Sequence, residues 1–152
     1  QQLGRKAPAH REALDDLITR IGNRIGLENV LRFLPADSHI PERSYITAPA
    51  AYSTPESFAP LPRPRPLRLF APEWVNTPAG REPPRHFRWR RMPLRTARAI
   101  GPERIAPEWW MADEAWHSGL RDYWRIETVQ GRRLWMFHTP QNPGWFVQGE
   151  FA

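Results

Sequence analysis

Cysteine is absent from the sequence, which excludes disulfide bonds and thiolate metal sites. No apolar run approaches the roughly 20 residues that a membrane-spanning helix needs, and no signal-peptide pattern occurs. These absences predict a soluble, cytoplasmic protein. The sequence also lacks an initiator Met, which predicts a piece of a longer protein.

Lysine is nearly absent too, since 21 of the 22 basic residues are Arg. Arg favours planar, bidentate pairing, although a GC-rich genome explains the bias equally well. The positive charge is local: residues 1–60 are neutral overall, residues 61–98 carry a net charge of +8, and residues 99–152 carry −2. Segment 61–98 therefore has the charge to bind phosphate or an acidic protein surface.

Motifs of catalysis are missing as well. There is no Gly-rich phosphate loop and no nucleophile elbow, and the carboxylate pairs Asp15-Asp16 and Asp113-Glu114 have the character of solvated surface groups. The five histidines lack metal-ligand spacing: His10, His39, His86, His117 and His138. We therefore expect no enzymatic activity, no metal and no cofactor.

What is present is a β pattern, clearest from Arg121 to Ala152. The residues alternate in polarity from Tyr123 to Thr128, and Gln130-Gly131 suits a two-residue hairpin turn. The next segment has apolar groups on both faces, which predicts a central strand. We expect an antiparallel meander with three strands, in which Trp124, Trp135 and Phe151 are buried and the face of the last strand is formed by Trp145, Val147 and Phe151.

Three further strands are predicted before the meander, followed by a crossover. The strands are Leu67–Phe70 (with Trp74-Val75 as an extension), Arg85–Arg91 and Leu94–Ile100, and the irregular or briefly helical crossover runs from Pro107 to Leu120. The fold class is mainly β, a small barrel-like or rolled antiparallel sheet of about five to seven strands. With the helix and Pro-rich linker that precede it, the chain is α+β overall.

An amphipathic helix is predicted from His10 to Ile25, after a disordered segment at residues 1–9. Gly26 ends it, and a short strand Val30–Leu34 and a loop Asp37–Tyr45 follow, with Pro41 excluding helix from the loop. We predict three parts: residues 1–46, a Pro-rich linker at 47–66, and a β domain at 67–152. The helix presents one apolar face, a candidate partner-binding surface: Leu14, Leu17, Ile18, Ile21 and Ile25.

Arginines and aromatic residues interleave around Phe87 and Trp89. Exposed rings would stack on bases while guanidinium groups bind phosphate, which makes four arginines candidates for contact with DNA or an acidic surface: Arg85, Arg88, Arg90 and Arg91. The favoured interpretation is that alternation buries the rings and leaves the arginines solvated. The predicted core aromatics are Phe87, Trp89, Trp124, Trp135, Trp145 and Phe151.

Six blocks of the sequence resemble, in the same order, the C-terminal region of ImuB-type proteins, the Y-family polymerase-like subunits of a bacterial mutagenic translesion system. The blocks are Ser38–Arg43, Phe87–Arg90, Gly101–Trp110, Arg121–Ile126, Gly131–Trp135 and Trp145–Ala152. Leu67-Arg-Leu-Phe70 also has a loose likeness to sliding-clamp peptides, but Pro66 replaces the usual Gln and a plain strand is favoured.

The resemblance implies a non-catalytic adaptor in DNA-damage-induced mutagenic translesion synthesis. Proteins of this type have lost the catalytic carboxylates of the polymerase. They link the sliding clamp to a RecA-like, ImuA-type accessory subunit and to an error-prone, DnaE-type replicative polymerase. The expected function is therefore the docking of one or both of these partners. The alternative is a single-stranded DNA-binding module that uses the Arg- and Trp-rich strands.

Overall fold

The computed structural model of the protein describes residues 7–78, 80–110 and 113–152. The chain divides into two compact units, one ending at Pro60 and the other running from Leu61 to Ala152.

The first unit contains one helix and a two-stranded antiparallel sheet. Its elements are helix α1 at Ala7–Ile25, strand β1 at Leu31–Pro35 and strand β2 at Tyr45–Pro49. Gly26 ends the helix as predicted, because its φ of 93° suits a residue without Cβ and its N–H donates to the Gly22 carbonyl at 2.8 Å.

Several boundaries in this unit differ from the prediction. The disordered segment predicted at 1–9 lies mainly outside the described residues, and 7–9 are helical. Pro41 begins a short 3-10 helix at Pro41–Arg43, because its fixed φ suits the first helical position. The residues assigned to a linker from Thr47 onward include the end of β2 and a 3-10 turn at Ala50–Tyr52. Residues 53–67 have no helix or strand.

The second unit is a curled antiparallel sheet in the order β3-β8-β7-β6-β5-β4. Its strands are β3 (Arg68–Trp74), β4 (His86–Trp89), β5 (Met92–Ile105), β6 (Arg121–Thr128), β7 (Arg133–His138) and β8 (Trp145–Phe151). Beyond β3, the Arg88 N–H donates to the Asn76 carbonyl at 3.2 Å, which joins the two edges. The predicted class, a mainly β rolled sheet after an N-terminal helix, is confirmed.

The meander β6-β7-β8 and the central place of β7 are also confirmed. The hairpin turn between β6 and β7 differs: its loop has three residues, Val129 to Gly131, because the Thr128 N–H pairs with the Arg132 carbonyl at 2.8 Å. Gly131 has φ 84°, the left-handed position that ends a three-residue loop of this kind.

One core cluster lies on one face of the curled sheet, and Tyr123, Trp135 and Phe137 are buried on the other. The buried members of this cluster are Val75, Phe87, Trp89, Leu94, Ile126, Leu134, Met136, Trp145 and Val147. Of the six predicted core aromatics, Phe87, Trp89, Trp135 and Trp145 are buried, whereas Trp124 and Phe151 are half-buried. The alternation that buries Phe87 and Trp89 leaves Arg88 exposed between them.

A β-bulge at Gln148 overturns the predicted face of β8. Met136 pairs with Val147 but Trp135 pairs with Gly149, so two residues of β8 span one step of β7. The extra residue reverses the alternation. Phe151 therefore lies on the opposite face from Val147, where the Arg125 guanidinium sits 5.1 Å from its ring.

Candidate functional site

The predicted partner-binding face of α1 is divided in the structure. Ile18 is half-buried and lines a cleft with Ala50 and Ala51, and Gly22, one turn later, is buried. The other four residues of the face are 41–55% exposed; we name this set the α1 stripe: Leu14, Leu17, Ile21 and Ile25. One side of the helix thus packs within the unit while four aliphatic side chains remain in solvent.

The β1–β2 hairpin also exposes apolar side chains. Leu31, Phe33, Tyr45 and Ile46 are all exposed, and the rings of Phe33 and Tyr45 meet edge to face at 5.0 Å between centroids. Single exposed apolar residues are ordinary on a protein surface, but groups of them mark interaction surfaces. The first unit thus carries exposed apolar groups on both its helix and its sheet.

In the second unit, the hairpin between β4 and β5 turns at Arg90 and Arg91. Both residues have positive φ, 46° and 65°, between the paired residues Trp89 and Met92. A two-residue turn with both φ values positive favours Asn and Gly, so Arg at both positions is strained. The strain persists because the structure holds Arg90 from several sides.

Glu73 of β3 is the main partner of this turn. Its carboxylate accepts hydrogen bonds from Trp89 Nε1 at 2.8 Å and from Arg90 Nε and Nη2 at 2.9 and 2.6 Å. The Arg90 guanidinium also lies 4.5 Å from the Trp89 ring and 5.0 Å from the Phe70 ring. The hydrogen bonds from Arg90 lower the pKa of Glu73 and keep it ionised. Arg90 is therefore occupied within the fold.

The remaining predicted arginines are placed differently. Arg85, Arg88 and Arg91 are exposed, and no side-chain hydrogen bond or ion pair joins them to another described residue. Arg88 and Arg91 line an open cleft of about 440 Å³ together with Trp74 and Asn76, which we name the Trp74 cleft. Trp74 is 62% exposed. The sequence pattern marked Trp74 only as a strand extension, so its role in a cleft was missed.

The two carboxylate pairs singled out from the sequence lie on α1 and at a 3-10 turn. Asp15 and Asp16 are exposed on α1, and Asp113 caps a 3-10 turn by accepting the Ala115 N–H at 2.9 Å. Within residues 7–78, 80–110 and 113–152, no group of three or more potential metal ligands occurs. None of the helices in those ranges is long and apolar enough to cross a membrane.

Comparison with known proteins finds similarity to Protein ImuB from two strains of Caulobacter vibrioides, NA1000/CB15N and ATCC 19089/CB 15. Each is 39% identical to this chain over 154 aligned residues, which cover 93% of the chain. The chain spans about a third of the length of these relatives, 34%. No family model matches the chain, and no solved structure does. The likeness to a region of ImuB-type proteins that the six sequence blocks indicated is therefore confirmed.

Proposed function

We propose that this chain is a non-catalytic adaptor region of an ImuB-type protein that acts in the cytoplasm in DNA-damage-induced mutagenic translesion synthesis. It docks a RecA-like accessory subunit, an error-prone replicative-type polymerase, or both. The sliding clamp is bound elsewhere in the parent protein, which resembles a Y-family polymerase without catalytic carboxylates. The similarity to ImuB supports a role in this mutagenesis system, and the exposed apolar surface supports the docking of a partner protein.

The α1 stripe is the observation that carries this proposal. Burying a Leu or Ile side chain completely contributes about 1.5–3 kcal/mol relative to full exposure. The four residues of the stripe are already about half covered, so roughly half of that remains to be gained at each. An apolar helix face at i, i+3 and i+7 is the anchor pattern of helix-in-groove recognition. A partner protein with an apolar groove is the occupant that gains this energy.

The test uses the full chain with Leu17→Asp and Ile21→Asp together, which place two charges in the middle of the α1 stripe. A matched control, Arg20→Gln with Asn23→Asp, makes the same change in net charge on exposed positions beside it. Binding to each purified partner is measured separately by surface plasmon resonance. Loss of a hot spot worth about 2 kcal/mol weakens binding roughly 30-fold, and we expect at least this for one partner.

Tryptophan fluorescence gives an internal check on folding. All eight Trp residues lie beyond Leu61, so their unfolding transition reports on the second unit alone. We expect this transition to be unchanged in the double variant, with helix content retained in circular dichroism. The proposal is wrong if neither partner binds the wild-type chain, or if the double variant and its control bind equally well. A lower midpoint of the Trp unfolding transition in the double variant would instead assign α1 to the core of the second unit.

A further inference from the structure

The Trp74 cleft combines one free aromatic ring with two free guanidinium groups. Trp74 ends β3, Asn76 bridges to Arg88 of β4, and Arg91 belongs to the strained turn that follows β4. All four residues line the same cleft of about 440 Å³. Two separate stretches of chain, residues 74–76 and 88–91, thus line one open site.

The nearby groups are occupied, and this leaves the cleft residues available. Glu73, adjacent in sequence, is bound by Arg90 and Trp89 and therefore does not neutralise Arg88 or Arg91. Within the described part of the chain, no ring or cation contact covers Trp74, and neither Arg88 nor Arg91 forms an ion pair. A 62% exposed Trp gains energy from any flat apolar surface that stacks on it.

The strained turn is a second sign that this cleft is a functional site. Arg90 and Arg91 occupy positions that suit Gly or Asn, and strained backbone of this kind concentrates at functional sites. At Arg90, the ion pair with Glu73 compensates for the strain. Arg91 has no such partner in the described chain, so no contact within the fold compensates for its strained backbone.

We propose that the Trp74 cleft binds a segment of single-stranded nucleic acid, with a base stacked on Trp74 and phosphates paired with Arg88 and Arg91. Every base has a π-face, and guanidinium groups bind phosphate in a planar, bidentate geometry. The surrounding segment 61–98 carries a net charge of +8, which attracts a polyanion. This site is independent of the α1 stripe. It differs from the four arginines indicated by sequence, because it includes Trp74 and lacks Arg85 and Arg90.

The test measures binding of a labelled oligothymidylate of about 12 nucleotides to the full chain by fluorescence anisotropy. Loss of base stacking in Trp74→Ala should weaken binding about 5- to 150-fold, and Trp74→Phe should restore most of it. Trp109→Ala removes an even more exposed Trp (90%) elsewhere and should have little effect. A duplex of the same length should compete poorly, because its bases are already stacked.

The arginines are tested by their effect on salt dependence. Each phosphate contact contributes about 0.7 to the slope of log affinity against log salt for a single strand. Arg88→Gln and Arg91→Gly should each reduce the slope by roughly this amount, whereas Arg133→Gln, at another exposed Arg, should leave it unchanged. Arg91→Gly also relieves the positive φ, so binding should fall without a lower melting temperature.

Three outcomes would overturn the proposal. In the first, the oligothymidylate does not bind at low salt. In the second, Arg133→Gln weakens binding as much as Arg88→Gln, and this result would indicate a general charge effect. In the third, polyglutamate displaces the oligonucleotide at equal charge and its binding is insensitive to Trp74→Ala, which would assign the arginines to an acidic protein surface. None of these results depends on the α1 stripe, so failure here and failure of the docking proposal can be distinguished.

Discussion

Replacing Tyr123 with Phe removes one oxygen from a buried polar cluster in the second unit. The Tyr123 hydroxyl donates to Gln148 Oε1 at 2.6 Å and accepts from Arg121 Nη1 at 3.2 Å. All three side chains are at most 1% exposed. Gln148 is the bulge residue of β8, so the hydroxyl ties β6 to the bulge across β7.

The magnitude follows from what Phe retains. The Tyr123 ring stacks on Trp135 at 4.1 Å and contacts Phe137 at 5.1 Å, and Phe keeps both ring contacts. The loss falls on the hydrogen bonds of the hydroxyl, and it leaves buried polar groups with fewer partners, which costs about 1–3 kcal/mol. For a domain of this size, each kcal/mol lowers the melting temperature by about 4–8 °C. We therefore expect a decrease of roughly 4–24 °C.

Urea unfolding of the full chain, followed by Trp fluorescence, measures the loss in free energy of unfolding of the second unit, and a thermal melt with the same signal measures the decrease in melting temperature. Arg133→Gln is the control, because it alters an exposed polar side chain of the same unit. The control should change the free energy of unfolding by less than about 0.5 kcal/mol. If Tyr123→Phe has an effect as small as that of the control, water reaches the polar cluster and replaces the hydroxyl without loss of stability. The reasoning from burial would then be wrong.

Two further predictions concern the packing and the pH dependence of this unit. Gly149→Ala should destabilise it by about 1–3 kcal/mol, because the new Cβ would lie 2.5 Å from Pro66 Cγ, whereas Gly80→Ala, with no atom within 4 Å, should be neutral in the same urea titration. Hydrogen bonds from Arg65 lower the pKa of Glu103, so the ionised carboxylate stabilises the fold above the ordinary pKa of 4.5, and this stabilisation is lost as the pH falls through the folded pKa. In Glu103→Gln, the free energy of unfolding should therefore fall less steeply with decreasing pH in the acid range. An unchanged pH dependence would contradict the pairing.

The strands of the second unit could be predicted from the sequence because their alternation is regular. Leu134 to Phe137 carry apolar groups on both faces, which indicated the central strand that the sheet shows. The bulge at Gln148 could not be predicted, since a polar residue within a strand has no local signal for an extra position. One unpaired residue was enough to move Phe151 to the opposite face.

The candidate site shows the same division between local and tertiary signals. Interleaving of Arg with aromatic residues indicated four candidates, Arg85, Arg88, Arg90 and Arg91, but nothing in the sequence separates one Arg from another. Only closure of the sheet brings Glu73 to Arg90, 17 positions away, and leaves Arg91 beside Trp74. The Arg-Arg turn was missed for a related reason, because neither residue is a typical signal for positive φ.

The two proposed surfaces differ in chemistry, and salt distinguishes them. The α1 stripe is aliphatic, so binding through it gains its energy from apolar burial and weakens little when charges are screened. The Trp74 cleft pairs guanidinium groups with phosphates, so its affinity falls steeply as salt displaces the oligonucleotide. A partner complex that dissociates with the same salt slope as the oligonucleotide would therefore be held by the arginines of the second unit. Retention at high salt, together with sensitivity to Leu17→Asp and Ile21→Asp, would assign docking to the helix.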